Sequence, residues 1–178
     1  MVVSSVVLIN NNRFGGVVQL ENLTYDVALS VRQAQVYGIS VQRSGAGDFT
    51  SGYGMHFDIG NPQNYTLFAD AGGADKDGVY QSSEEVSPYT IRSGFTINKL
   101  CAPEGVDAAS CREVLTLDIA FKRPEADAWI SANNNACSYG SGTCAVSARI
   151  VLKSPRGDAM SVLVGANGQI SVTRESSQ

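Results

Sequence analysis

Apolar residues between Val17 and Gly38 recur at the three-and-four spacing of a single helical face, and no comparable helical pattern follows. The polar residues of this segment, among them Glu21, Asp26 and Arg32, fall mostly on the opposite side. The pattern therefore predicts one amphipathic helix, about 30 Å long, that lies along another part of the fold and ends at Gly38 as its C-cap. The residues predicted to pack are Leu20, Leu23, Thr24, Val27, Val31 and Ala34.

The first nine residues, Met1 to Ile9, are mostly apolar but too few to span a bilayer, which needs about 20. Asn10 to Gly16 holds three asparagines and two glycines, poor helix formers that predict a break or a flexible joint before Val17. The apolar start has two interpretations: a buried first strand, or the end of a longer hydrophobic helix of which only this part is present. The second is favoured.

After Gly38 the apolar period changes to two, which is typical of strands. The alternation predicts a short strand at Ile39–Gln42, a hairpin of Tyr53–Asp58 with Tyr65–Ala69, two strands within Val86–Leu100 on either side of Ser93-Gly94, a strand at Glu113–Lys122, and a final meander of Ala148–Leu152, Met160–Val164 and Gln169–Val172. Within Glu113–Lys122 the predicted inward side chains are Val114, Leu115, Leu117, Ile119 and Phe121. The fold class is therefore α+β, with one long N-terminal helix packed on antiparallel sheet.

Composition agrees with one folded, weakly charged domain. The 178 residues are 43% hydrophobic and 17% charged, with a formal net charge of -4 and a pI near 4.9. No global positive field attracts nucleic acid, although a local basic patch is compatible with these numbers. The predicted division of the chain is residues 1–16, as helix remnant and joint, and residues 17–178, as a single head domain.

Four cysteines form two close pairs in sequence, and neither pair has the spacing of a zinc or redox motif. Local disulfides are favoured over free thiols, which predicts an oxidising, extracytoplasmic location. Sequence alone leaves all three pairings open. The residues are Cys101, Cys111, Cys137 and Cys144.

An Asp/Gly-rich loop after Ala69 offers oxygen ligands in a tight turn, which is what calcium requires. With Asp77-Gly78 at the fifth and sixth positions of a calcium loop, Asp75 takes the third and Glu84 the twelfth, and Asp70 reaches in from outside the pattern. A loop without an ion is the commoner outcome for such a sequence. The sequence therefore predicts no cofactor, with calcium at Asp70, Asp75, Asp77 and Glu84 as the alternative.

Nothing in the sequence predicts catalysis. His56 is the only histidine and has no nucleophile motif around it, so a structural role is expected. An enzyme would need carboxylates that converge in a cleft, for instance around Asp118 and Glu125.

The order of these elements resembles the type IV pilin and pseudopilin family. The helix segment Leu29-Ser-Val-Arg-Gln-Ala-Gln35 is similar to minor pilins and pseudopilins of the GspH/FimT type, and the ending ARIVLKSPRGDAMSVLVGANGQISV is similar to their C-terminal meander. The resemblance covers nearly the whole chain and rests on order and pattern. It implies a subunit held in the inner membrane by a hydrophobic helix, processed by a prepilin peptidase, and then polymerised into a pilus or a type II secretion-like filament.

The resemblance also implies the partners, which are other pilin subunits at the cell surface or in the periplasm. The alternative function is a minor pilin that captures DNA during natural transformation. Capture requires clustered cations to neutralise phosphate. The candidate DNA contacts are Lys153, Arg156 and Arg174, a thin set in a chain of negative net charge.

Overall fold

The computed structural model describes residues 2–40, 51–71, 77–137 and 144–175, with side chains from Gly15 onward. In these ranges one helix, α1 (Val2–Ile39), precedes ten strands. The strands are β1 (Gly52–Asp58), β2 (Asn64–Asp70), β3 (Glu85–Thr90), β4 (Thr96–Cys101), β5 (Glu113–Val114), β6 (Thr116–Phe121), β7 (Ala128–Ala132), β8 (Ser147–Lys153), β9 (Ala159–Gly165) and β10 (Ile170–Arg174). A 3₁₀ turn covers Ser82–Glu84. The predicted α+β class is confirmed.

The strands form two antiparallel sheets. Sheet A has the order β3-β2-β1-β6-β7, and sheet B has the order β10-β9-β8-β4-β5. The helix packs against β1 and β6 of sheet A and against β8, β9 and β10 of sheet B. Helix and both sheets contribute to one continuous core, in which Leu20, Met55, Leu117, Ile150 and Val162 are each at most 1% exposed.

The strands with regular alternation lie where the sequence predicts them. The β1–β2 hairpin pairs Met55 with Leu67 and Phe57 with Tyr65, so that their alternate side chains share the core face. The C-terminal meander forms β8, β9 and β10 in consecutive antiparallel pairs. Val86–Leu100 supplies two strands as predicted, and they belong to different sheets because the chain crosses from β3 to β4 at Ser93-Gly94.

The helix differs from the prediction at both ends. It is continuous through Asn10–Gly16, where a break was expected, because helix propensity is a weak preference that one uninterrupted helix can override. The alternative of a buried first strand is also wrong, since residues 2–9 are helical. Gly38 lies inside the helix and is not its cap. Ile39 is helical and Ser40 lies in a turn, so the strand predicted at Ile39–Gln42 does not begin there, and its last two residues lie outside the described residues.

The strand predicted at Glu113–Lys122 is two strands. β5 pairs with β4 in sheet B, and β6 pairs with β1 in sheet A, so the chain changes sheets at Leu115. Leu115 is 71% exposed, and the prediction of an inward side chain is wrong. The other four predicted inward residues are buried. β7 was not predicted from sequence, since its five residues, AWISA, are too few to establish a period.

Candidate functional site

One face of α1 holds the helix on the sheets. Leu20, Val27, Val31 and Ala34 are buried in the core, and Leu23 packs against it while partly exposed. The predicted packing stripe therefore lies at the helix–sheet contact. Thr24 is also buried, and its hydroxyl donates to the Leu20 carbonyl at 2.7 Å, which satisfies the only polar group of the stripe within the helix itself.

Two further contacts fix how α1 sits. Gln35 Nε2 donates to the carbonyl oxygens of Ala126 and Gly168, each at 3.0 Å, and so ties the helix to two connections between strands. At Gly38 the helix approaches β6 so closely that an added Cβ would lie 2.3 Å from the Phe121 carbonyl oxygen. Glycine is needed here for a close backbone approach, which is a different role from the predicted cap.

The opposite side of α1 carries a second apolar stripe, which sequence analysis did not single out. It consists of Val18, Tyr25, Leu29, Val36 and Ile39, here named the outer seam. Leu29 is 65% exposed, Val36 53% and Tyr25 51%. Together with Asn22 and Arg32, these positions follow one alternating four-three repeat, the spacing of a helix–helix contact line. The signal in the sequence was the spacing of Tyr25, Leu29 and Val36, which interrupts the polar side.

The acidic loop brings part of the predicted calcium set together beside sheet A. Asp70 is buried at the end of β2, and Glu84 lies close enough for its charge to act on Asp70. Glu84 accepts from the N–H groups of Ala71 (3.2 Å) and Gln81 (3.1 Å), while Asp77 accepts from Val79 N–H at 2.9 Å. Glu84 thus joins the 3₁₀ turn to Ala71, directly after β2, whereas the bond of Asp77 stays within its own turn. Asp75 lies outside the described residues, and calcium remains the untested alternative.

Burial raises the pKa of Asp70 from 3.8 to about 6, and the nearby charge of Glu84 adds to this shift. Gly78 N–H donates to Asp70 Oδ2 at 3.3 Å, while Oδ1 has no hydrogen-bond partner among the described residues. The folded chain therefore retains a proton at pH values where the unfolded chain has lost it. The stability that this proton contributes is complete below about pH 4 and is lost as the pH rises through about 6.

Asp70→Asn should remove this pH dependence. We expect the variant to be more stable than the parent at pH 7.5, by about 2 kcal/mol after allowance for solvent screening, and about equal to it at pH 4. Urea unfolding at a series of pH values measures the difference. A variant whose stability follows the parent's through this range would contradict the assignment to Asp70. Addition of a chelator is a separate test. If the chelator lowers the melting temperature of the parent but not that of Asp70→Asn, calcium binds at this carboxylate.

His56 is attached to a buried carboxylate. Its Nδ1 lies 2.6 Å from Asp118 Oδ1, and its ring stacks on Tyr80 with centroids 4.5 Å apart. Tyr80 N–H also donates to Asp118 Oδ1, at 3.4 Å. Burial raises the pKa of Asp118, opposed by its hydrogen bond to His56. His56 thus anchors the segment after Gly78 to β1 and β6, whereas Glu125 is exposed on the connection between β6 and β7.

Both cysteine pairs are bonded as neighbours in sequence, Cys101 with Cys111 and Cys137 with Cys144. The first disulfide closes a loop that a buried arginine also holds. Arg149 Nε donates to the Glu104 carbonyl at 3.0 Å, and Nη2 donates to that of Val106 at 3.2 Å. Arg149 Nη1 pairs with Glu175, and both side chains are at least nine-tenths buried. This ion pair was not predicted from the sequence, although a lone arginine inside the apolar run ARIVL indicates a buried charge that needs a partner.

The three predicted DNA contacts lie at one end of sheet B. Lys153 ends β8, Arg156 lies within the turn between β8 and β9, and Arg174 on β10 is in register with Met160 near the same turn. All three side chains are exposed, and the same turn also exposes the carboxylate of Asp158. DNA binding therefore remains a prediction, which a gel shift at low salt can test.

Within the described residues, no helix is both long and apolar enough to cross a membrane. The same part of the chain holds no group of three or more His, Cys, Asp or Glu residues placed to bind a metal ion. Comparison with protein-family models, with curated proteins and with solved structures found no match to this chain.

Proposed function

We propose that the chain is the head domain of a type IV pilin-like subunit, which assembles into a filament through its long helix. The observation that carries the proposal is the outer seam. A helix that is apolar on two opposite sides is normally covered on both. Its inner side is covered by sheets A and B, so the outer seam is the side available to other subunits.

The dimensions of α1 support this role. Its 38 residues span about 57 Å, whereas a seven-residue strand spans about 23 Å. The described core contacts of the helix begin at Leu20 and continue to Gly38. A helix more than twice as long as the strands it crosses offers length beyond its own head for contacts with neighbours.

The disulfides support the proposed location. Disulfides persist in oxidising compartments, and two local loops stapled in this way are typical of extracytoplasmic domains. A subunit anchored in the inner membrane before assembly, with its head in the periplasm or at the cell surface, meets this condition. Other subunits of the same filament are the proposed partners.

Leu29→Glu should prevent assembly without unfolding the head. The glutamate would place a charge in the middle of the outer seam, where burial against another helix would cost several kcal/mol. In cells that make the protein, we expect the amount recovered from the cell surface by shearing to fall at least tenfold relative to the parent. The total amount of the protein in the cells should not change.

Val86→Glu on β3 is the matched control. Val86 is 48% exposed and lies on the edge strand β3, outside the outer seam, so its substitution should leave the amount recovered by shearing unchanged. Equal recovery of Leu29→Glu and Val86→Glu from the cell surface would exclude assembly through the outer seam.

A further inference from the structure

The two sheets have four edge strands, and these differ in whether their outward backbone groups are already bonded. In an antiparallel pair, alternate residues direct N–H and C=O toward the partner strand, and the residues between them direct both groups away. An unbonded edge is a template for pairing with another chain, which proteins normally block or cover. Each edge can therefore be assessed from its register and hydrogen bonds.

Neither edge of sheet A is continuous and unblocked among the described residues. On β7 the residues that face away from β6 are Ala128, Ile130 and Ala132, and each has a backbone hydrogen bond. Ala128 N–H donates to the Ala166 carbonyl at 2.8 Å. The carbonyls of Ile130 and Ala132 accept from Ala145 N–H at 3.0 Å and from Asn135 N–H at 3.1 Å. On β3, Ile91 N–H donates to the Gln63 carbonyl, which fixes which alternate residues bond to β2. Pro88 is one of the residues that face away from β2. Proline has no N–H to donate and blocks this edge.

β5, at one edge of sheet B, has only two residues and so presents little edge. β10, at the other edge, is different. Gly165 N–H donates to the Gln169 carbonyl at 2.9 Å, and Glu175 N–H donates to that of Ala159 at 3.1 Å, which fixes the phase of the β9–β10 ladder. The residues facing away from β9 are therefore Ile170, Val172 and Arg174. Their backbone groups have no hydrogen bond in the part of the chain that the structure describes.

We propose that the free edge of β10 binds an extended segment of a partner protein, which adds to sheet B as a sixth strand. This edge lacks the devices that close the other three: it holds no proline, it is five residues long, and no neighbouring segment in the described ranges bonds to it. Strand addition of this kind takes its affinity from backbone hydrogen bonds and its specificity from alternate side chains.

The side chains of β10 indicate which residue types the partner segment should carry. Ile170 and Val172 pack against the core while partly exposed, so the residues of the added strand opposite them should be apolar. Arg174 is exposed and has no ion pair among the described residues. The adjacent carboxylate, Glu175, is already paired with Arg149. A carboxylate opposite Arg174 completes the match. An antiparallel segment would read acidic–any–apolar–any–apolar from its N-terminus.

A second copy of β10 fits this edge less well. Two copies paired antiparallel about Val172 would set each Arg174 opposite Ile170 of the other copy and give the guanidinium no carboxylate. Charge complementarity therefore favours an acidic partner segment over self-pairing.

The probe is a fluorescein-labelled peptide, Gly-Glu-Thr-Val-Thr-Ile-Gly, titrated with the intact chain and followed by fluorescence anisotropy. Val172→Pro removes an outward N–H without removing a β9 bond and should weaken binding at least tenfold. Val172→Ala keeps the N–H and should bind within threefold of the parent. If neither variant differs from the parent, or if the parent does not bind the peptide, the proposal is wrong.

A charge exchange provides the second arm, which does not depend on how well Val172→Pro folds. Arg174→Glu should weaken binding of the glutamate peptide about tenfold and bind a peptide with lysine at that position more tightly than the parent does. Loss of binding without this reversal would contradict the proposed register. Light scattering of the free chain tests the other occupant: a dimer that Val172→Pro dissociates would assign the edge to a second copy and overturn the proposal.

Discussion

Arg149→Met is expected to lower the free energy of unfolding by about 3–5 kcal/mol, the usual cost of removing one partner of a buried ion pair. Methionine is close in length and cannot replace the lost hydrogen bonds. Glu175 would remain buried without its cation, and the carbonyls of Glu104 and Val106 would lose their donor. Urea unfolding at pH 7 with tryptophan fluorescence measures the change, and a loss below about 1 kcal/mol would contradict it.

The companion variants separate the charge from the geometry. Arg149→Lys keeps the charge but lacks the planar fork, and should fall between the parent and Arg149→Met. Adding Glu175→Gln to Arg149→Met removes the uncompensated carboxylate, so the double variant should be more stable than Arg149→Met alone. A double variant at the sum of the two single losses would show that the two side chains act independently.

Gly38→Ala is expected to destabilise the chain by about 2 kcal/mol or more. The added Cβ would lie 2.3 Å from the carbonyl oxygen of Phe121 and 2.7 Å from its carbonyl carbon, both of which belong to the backbone. The helix would have to move away from β6, which opens the packing of both elements. This cost must exceed the gain of about 1 kcal/mol that alanine brings inside a helix.

Gly15→Ala is the control on the same helix. Apart from its chain neighbours and the backbone of the helix itself, no described atom lies within 4 Å of a Cβ at Gly15. Only the propensity gain therefore remains, and we expect the melting temperature to stay equal or to rise. If both glycine variants were stabilised alike, the close approach at Gly38 would not constrain the fold.

Local patterns predicted much of the fold because most elements contain enough residues to establish a period. The β1–β2 hairpin and the β8–β9–β10 meander combine regular alternation with turn residues such as Asn167-Gly168, and both lie where they were predicted. Features that depend on the partner of a segment could not be predicted. Leu115 continues an alternating run, but the chain changes sheets there, and periodicity carries no information about which sheet a residue joins.

The candidate sites likewise divide into those that local spacing can predict and those that only the fold brings together. The inner stripe of α1 could be predicted because its spacing alone defines a face, whereas the outer seam was obscured by Asn22 and Arg32 within it. Arg149 and Glu175 are 26 residues apart, and only the fold brings them together. The free edge of β10 is a property of the hydrogen-bond ladders, which composition does not describe.

The backbone contact at Gly38 also has a mechanical consequence. In the proposed filament role, tension along the helix would have to reach the head, and the backbone of the helix closely approaches the backbone of β6. β6 and β1 are interior strands of sheet A, each hydrogen-bonded on both sides. Force that reaches β6 through this contact therefore acts on a strand that both of its neighbours hold in place, which resists local displacement of β6.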